Sequence, residues 1–242
     1  MQPFISHKRG ALFGMRIFLS LLLIFASFMP VAVAMQEIHI NIPSFVLQLY
    51  DNEKVIKEYD IALGTPFEQT PTGAFHIFLK EEYPTWTPGE NFTDRTPVPP
   101  GPDNPLGTRW MEFKPGYGIH GTNKGWDISF PVSGGCIRMH DKDAQELYNI
   151  VPIGTPVIIS YETVFVYEKS DGLYVKIFPD IYHTKINTPE HFAALYAPFA
   201  AKYPAIKQPS FPSDDAETGV ELKLANYSPI TVDKPSTSEK KI

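Results

Sequence analysis

The chain has 242 residues, room for one or two domains with a sizeable core. Its 43% hydrophobic and 20% charged content excludes a disordered or coiled-coil protein. Lys and Arg number 21 against 27 Asp and Glu, and the three basic residues of the first 34 positions, where no acid occurs, leave 18 against 27 (net −9) for the remainder. A surface that negative disfavours a polyanion-binding role, so nucleic acid is not an expected partner.

The N-terminal stretch reads as an export signal. Lys8, Arg9 and Arg16 precede an apolar run from Ile17 to Met29, Pro30 breaks it, and Ala32-Val33-Ala34 offers the small residues of a cleavage site. The run has 13 residues, short of the ~20 that a membrane span needs. An uncleaved signal anchor is the alternative, and Met15-Arg16 would also open a compact leader. Residues 1–34 are therefore expected to be a signal peptide, which makes the protein an exported one with its mature start near Met35. Export makes the single cysteine, Cys136, informative. Exported chains use cysteines in pairs, so a lone one is either a small buried hydrophobe or a reactive thiol.

Beyond the leader the pattern is mostly that of strands. Ile38, Ile40 and Ile42 alternate, then Phe45, Leu47 and Leu49; Asp51-Asn52 predicts a hairpin turn, with a return strand over 55–63. Thr70-Pro71-Thr72-Gly73 turns the chain into a strand over 74–79. Residues 83–115 hold eight prolines, too many for a sheet interior. With Trp86 and Trp110 at its two sides, this stretch reads as an ordered loop lining a cleft.

Strands are expected again at 109–113, 117–120 and 136–139. Asp141 reads as an N-cap, and Ala144, Leu147, Tyr148 and Val151 follow at helical spacing until Pro152. A buried strand occupies 157–160. Past Tyr161, Ser170-Asp171-Gly172 marks a hairpin, and Thr188-Pro189 opens a second helix. The fold class is mainly β with one marked helix, and no βαβ alternation is present. The expected organisation is a domain over 35–160, a small α+β hairpin-and-helix extension over 161–205, and a flexible tail over 206–242.

The chemistry concentrates in residues 117–139. His120 ends one expected strand and Cys136 begins another, so adjacent strands would bring them together. A thiol becomes a competent nucleophile when a histidine takes its proton and a third group fixes that histidine's tautomer. Gly134 and Gly135 leave backbone N–H groups unobstructed for an oxyanion. Arg138, two residues on, shares a strand face with Cys136 and could hold a substrate carboxylate. Spacing alone leaves the plainer readings open. His120 would then be a hydrogen-bonded turn residue, Arg138 the partner of a carboxylate of the fold, and the glycines components of a tight turn. His140 reads as part of the helix start rather than of any triad.

The run His120-Gly-Thr-Asn123, followed by Ser133-Gly-Gly-Cys136-Ile-Arg138, resembles the signature of the L,D-transpeptidase catalytic domain (YkuD-like) family. Pro71-Thr72-Gly73, Pro84-Thr85-Trp86, the run from Pro100 to Gly107, and Gly154-Thr155-Pro156-Val157 fit the same resemblance, which spans roughly 37–160. It implies a β-sandwich catalytic domain and an exported, cysteine-dependent acyltransferase of the periplasm or cell wall, needing no metal or organic cofactor. Cys136 would attack the third residue of a peptidoglycan stem peptide, expel D-alanine, and pass the acyl group to an amine. The products would be 3-3 cross-links or, where an envelope lipoprotein is the acceptor, its attachment.

The resemblance makes His120 the base and the Gly121 carbonyl its orienting group. Gly135 and Cys136 amides become the oxyanion-hole candidates, with Asn123, Ser133, Arg138 and Trp126 candidates for substrate binding. Many relatives carry histidine where this chain has Gly134. Two alternatives are an L,D-carboxypeptidase that uses water and a non-catalytic wall-binding module.

Overall fold

The computed structural model describes residues 36–90, 92–204, 206 and 219–226, so the expected signal peptide lies outside the described residues. Strands β1 (Gln36–Asn41) and β2 (Val46–Asp51) pair antiparallel, Ile38 opposite Leu49 and Ile40 opposite Leu47. The period-two apolar residues thus meet on one buried face. Asn52 and Glu53, both at positive φ (47° and 65°), close the tight hairpin into β3 (Lys54–Gly64), one residue later than the sequence suggests. Such turns match the twist of the flanking strands.

The strand expected over 74–79 is two strands, β4 (Gly73–His76) and β5 (Leu79–Glu82). They occupy opposite ends of one sheet, whose order is β4-β10-β1-β2-β3-β9-β7-β6-β5. Here β6 is Arg109–Lys114, β7 Tyr117–His120, β9 Ile137–Met139 and β10 Pro156–Ser160, and β8 (Pro131–Ser133) pairs β3 off the main path. Only Ile77 and Phe78 separate the two end strands, so the sheet must curl until its edges meet. The backbone shows the switch: Ile77 N–H donates to Thr155 O on the β10 side, and Phe78 N–H to Glu112 O on β6. Phe75 and Phe113 seal the junction, ring centroids 5.4 Å apart.

The curled sheet encloses one core of Ile38, Ile40, Leu47, Ile61, Met111, Ile119 and Ile137 among others. Helix α1 (Asp141–Ile150) packs Ala144 and Leu147 into it and rests on β6 and β7. Asp141, expected as the N-cap, is instead the first helical residue after His140. Its carboxylate is drawn sideways, accepting from Thr108 N–H at 2.7 Å and Gln145 Nε2 at 2.8 Å.

Beyond Tyr161, β11 (Val164–Lys169) and β12 (Gly172–Ile177) form the expected hairpin. Helix α2 (Pro189–Tyr196) starts as its sequence dictates, Thr188 accepting from His191 N–H at 3.2 Å. Part of the stretch expected as a tail forms a strand. β13 (Val220–Asn226) pairs along β12 as the third strand of this smaller sheet. Polar Glu221 and Lys223 alternate there with Leu222 and Leu224, a half-exposed edge pattern that composition alone hides among Ser, Thr and Pro. The remainder of the tail lies outside the described residues.

Candidate active site

The site grows from strand register. β7 and β9 run parallel and adjacent, with Ile119 opposite Ile137 and His120 opposite Arg138. On the other side of β7, Trp110 lies opposite His120, and Glu81 opposite Trp110. Paired residues project to the same face, so Glu81, Trp110, His120 and Arg138 form one row across four strands. All four line a cleft of about 670 Å³ that also exposes Cys136, Ser133 and Gly134.

His120 is 3% exposed and its Nδ1 stands 2.5 Å from the Gly121 carbonyl. A carbonyl only accepts, so Nδ1 carries the proton and Nε2 keeps its lone pair. Burial, with the Arg138 charge second, depresses the imidazole pKa to about 4, against the upward pull of that carbonyl. The ring is therefore neutral at pH 7. The indole of Trp110 lies against it, centroids 5.8 Å apart.

The Gly121 backbone is tied to β6, its N–H donating to the Arg109 carbonyl at 3.3 Å. A β-carbon on Gly121 would sit 2.2 Å from Oδ1 of Asp141, the carboxylate fixed by Thr108 and Gln145. A larger residue there would have to displace that carboxylate. In sequence Asp141 signals only a helix start; its approach to Gly121 joins residues 20 apart that nothing local links.

Cys136 immediately precedes β9. Its sulfur donates to the Gly116 carbonyl at 3.7 Å, and the Gly118 N–H points to it. Burial pushes the thiol pKa above its ordinary value; the Gly118 hydrogen bond and Arg138 pull it down, and Glu112 raises it. The cleft thus holds a neutral thiol and a neutral imidazole at rest. Gly135, at φ +103°, has the Tyr117 ring 2.7 Å from where a β-carbon would begin, so only glycine turns the chain there. Its N–H donates to Ser133 Oγ at 3.1 Å, and that hydroxyl donates to the Cys136 carbonyl at 2.6 Å. The Gly135 amide, an expected oxyanion donor, is therefore engaged in this conformation.

The remaining sequence candidates divide. Arg138 faces the cleft, but its Nη1 is bonded to Oδ2 of Asp127, with side-chain exposures of 15% and 6%. The plainer reading of Arg138, as partner of a carboxylate of the fold, is what the structure displays. Asn123 is exposed and donates to the Pro102 carbonyl at 3.0 Å, tying its loop to the proline-rich stretch. Trp126 is 80% exposed. Neither Asn123 nor Trp126 is among the residues lining the cleft.

The proline-rich loop does line it, through Pro84, Thr85, Trp86, Phe92 and Pro105. Buried Asn104 supplies donors that prolines lack: its amide reaches the carbonyls of Pro84 (2.8 Å), Val98 (3.1 Å) and Pro99 (3.2 Å). Several lining residues escaped the sequence reading as site members, among them Glu81, Trp110 and Glu112. Alternation along β6 was the available signal, since 110 and 112 share the face that meets His120 and Gly118. Among the described residues no group of three or more His, Cys, Asp or Glu is placed to hold a metal.

Residues 35–159 match the model of the L,D-transpeptidase catalytic domain (YkuD) family. A Bacillus subtilis protein named putative L,D-transpeptidase YkuD is 40% identical over 125 residues, which is 51% of this chain and 65% of that protein. Escherichia coli K12 has a probable L,D-transpeptidase, ErfK/SrfK, 34% identical over 144 residues (55% of this chain and 46% of that one). The chain therefore spans less than two thirds of the length of either relative. Among solved structures, the catalytic domain of an E. faecium L,D-transpeptidase is 30% identical, covering 53% of this chain and 98% of that one at a TM-score of 0.42.

Proposed function

We propose that this chain, which belongs to the L,D-transpeptidase catalytic domain family, is an exported enzyme that transfers acyl groups between peptidoglycan stem peptides through Cys136. The observation that carries the reading is the His120–Gly121 hydrogen bond, which leaves Nε2 unprotonated in the cleft that holds the only thiol.

The steps follow from the resting charges. With thiol and imidazole both neutral, no ion pair waits in the free enzyme. A bound donor displaces water, and the S–H rotates from the Gly116 carbonyl toward His120 Nε2. The sulfur then attacks the carbonyl of the third stem residue as Nε2 takes its proton. The negative oxygen that develops is met by the Cys136 amide, and by the Gly135 amide if it leaves Ser133 Oγ. Imidazolium returns its proton to the departing D-alanine amine, giving a thioester. An acceptor amine attacks that thioester, gives a proton to Nε2, and releases the thiol as a 3-3 cross-link forms.

Arg138 acts on this cycle by its charge in two senses, easing loss of the thiol proton and hastening its onward transfer from the imidazolium. It lies opposite His120 on the neighbouring strand and favours the neutral imidazole as well as the thiolate. Placement in the periplasm or wall accords with the leader-like residues 1–34.

The test is incubation of purified protein with a disaccharide-tetrapeptide, read by mass spectrometry beside Cys136→Ala. Dimers that have lost D-alanine are expected, with a fall of at least about 10³-fold in the variant. Tripeptide alone would replace transfer by hydrolysis, an L,D-carboxypeptidase. Identical traces from wild type and variant would remove the catalytic reading and leave a wall-binding module.

A further inference from the structure

Residues past Tyr161 lie beyond the stretch that the family model covers, yet one of them reaches the frame of the cleft. Tyr182 is 8% exposed and belongs to the main core. Its ring stacks on Tyr161 at 5.2 Å, and its N–H donates to the Tyr161 hydroxyl at 2.8 Å. That hydroxyl in turn donates to buried Asp180 at 2.6 Å, so Tyr182 is fixed from its own side.

The Tyr182 hydroxyl makes two further bonds. It donates to the Gly64 carbonyl at 3.1 Å and accepts from the Thr70 N–H at 3.1 Å. Gly64 and Thr70 are the two ends of a loop, and Gly64 N–H closes it on Thr70 Oγ1 at 2.9 Å. Both ends are buried, so their backbone groups are shielded from bulk water and depend on the hydroxyl as partner. Packing alone would be served by phenylalanine; the two backbone bonds require tyrosine.

The loop continues to the nucleophile. Its Thr65 N–H donates to the Ser133 carbonyl at 3.1 Å, and Ser133 Oγ donates to the Cys136 carbonyl at 2.6 Å. Gln69 O stands 3.0 Å from where a side chain on Gly135 would begin. Thr65 and Glu68 from the same loop line the cleft. One unbroken chain of contacts therefore runs from Tyr182 through the loop and Ser133 to Cys136.

We infer that Tyr182 is a positioning residue for the nucleophile. The extension past residue 160 braces the 64–70 loop, and through it the turn that presents Cys136. This rests on Cys136 being the reactive group, so the test carries a readout of the thiol that is independent of any peptidoglycan substrate.

In the full chain, Tyr182→Phe is compared with wild type, well below the melting range, in tetrapeptide turnover and in iodoacetamide alkylation of Cys136 across neutral to alkaline pH. The expected result is a kcat lowered about 10- to 100-fold with KM little changed, because misplacement of a reacting group costs rate on that scale. The alkylation profile shifts along the pH axis as the thiol moves relative to the Gly118 N–H. A variant that melts lower yet keeps wild-type turnover and alkylation would overturn the inference and leave Tyr182 a packing residue. Should Tyr182→Phe fail to fold, Tyr161→Phe releases the brace from behind and must change the alkylation profile in the same direction; an unchanged profile overturns the inference equally. Wild-type protein inert toward tetrapeptide would count against the proposed reaction alone, since the alkylation comparison still decides the brace.

Discussion

The cleft wall and the small sheet β11–β13 use the same interactions with opposite consequences. In the wall the ion pair Arg138–Asp127 has side chains only 15% and 6% exposed, and His120, against which Trp110 lies, is 3% exposed. On the small sheet Lys169 pairs with Glu221 and Lys223 with Asp171 around the stacked rings of Tyr167 and Tyr174, with side chains 34–55% exposed. Water screens the second set and leaves the first unscreened. The lesson is that solvent access, more than the list of contacts, decides which residues set chemistry.

The sharpest way to test that contrast is Asp127→Ala. It leaves the Arg138 guanidinium buried without its partner, and breaking a buried pair in this way costs about 3–5 kcal/mol. Chemical unfolding is expected to show that loss, and Asp127→Ala/Arg138→Met to recover much of it by removing the orphaned charge. A loss below about 1 kcal/mol in the single variant would place the pair with surface pairs and erase the distinction.

The second test uses the imidazole. The folded pKa of about 4 lies below the ordinary 6.5, so the folded state binds fewer protons between these values. Stability owed to His120 is complete above pH 6.5 and is lost as pH falls toward 4, by about 3 kcal/mol in all. Urea unfolding from pH 7 to 4 should trace that limb, and His120→Gln should flatten it. Because the base stays neutral down to about pH 4, turnover in the folded enzyme should not fall through pH 6 on the histidine's account. A limb of equal slope in the variant would assign the proton uptake elsewhere.

What sequence made legible follows the same division. Period-two runs such as Ile38-Ile40 and the Ser170-Asp171-Gly172 turn are local signals, and the strands and hairpin stand where those signals put them. His120 and Cys136 were legible because glycines flank both and because two strand ends could carry them to one cleft, which they do. The edge switch at Ile77-Phe78 was not, since it depends on where a curled sheet meets itself. Asp127 gave no sign of its partner, because an ion pair between a loop and a strand leaves no period in the sequence. Asp141 offered a helix-start signal that masked its contact with Gly121. Conversely, Asn123 and Trp126 sit in the right stretch of sequence and outside the cleft, because the loop carries Asn123 toward Pro102 and Trp126 into solvent.

The smallest expected effect lies on the exposed sheet. Lys223→Ala removes the pair with Asp171 and the ammonium that stands 5.6 Å from the Tyr174 ring centroid. The hydrogen bond from Lys223 lowers the pKa of Asp171, but both groups are open to water, where a lost partner is replaced by hydration. The melting temperature should therefore shift less than for any substitution above, and the shift should shrink further in high salt. Cys136 alkylation and tetrapeptide turnover should stay at wild-type values, because no described contact of Lys223 leads toward Tyr182. If this substitution slowed alkylation as Tyr182→Phe is expected to, the whole extension would be coupled to the nucleophile. Solvent access would then no longer separate the two regions.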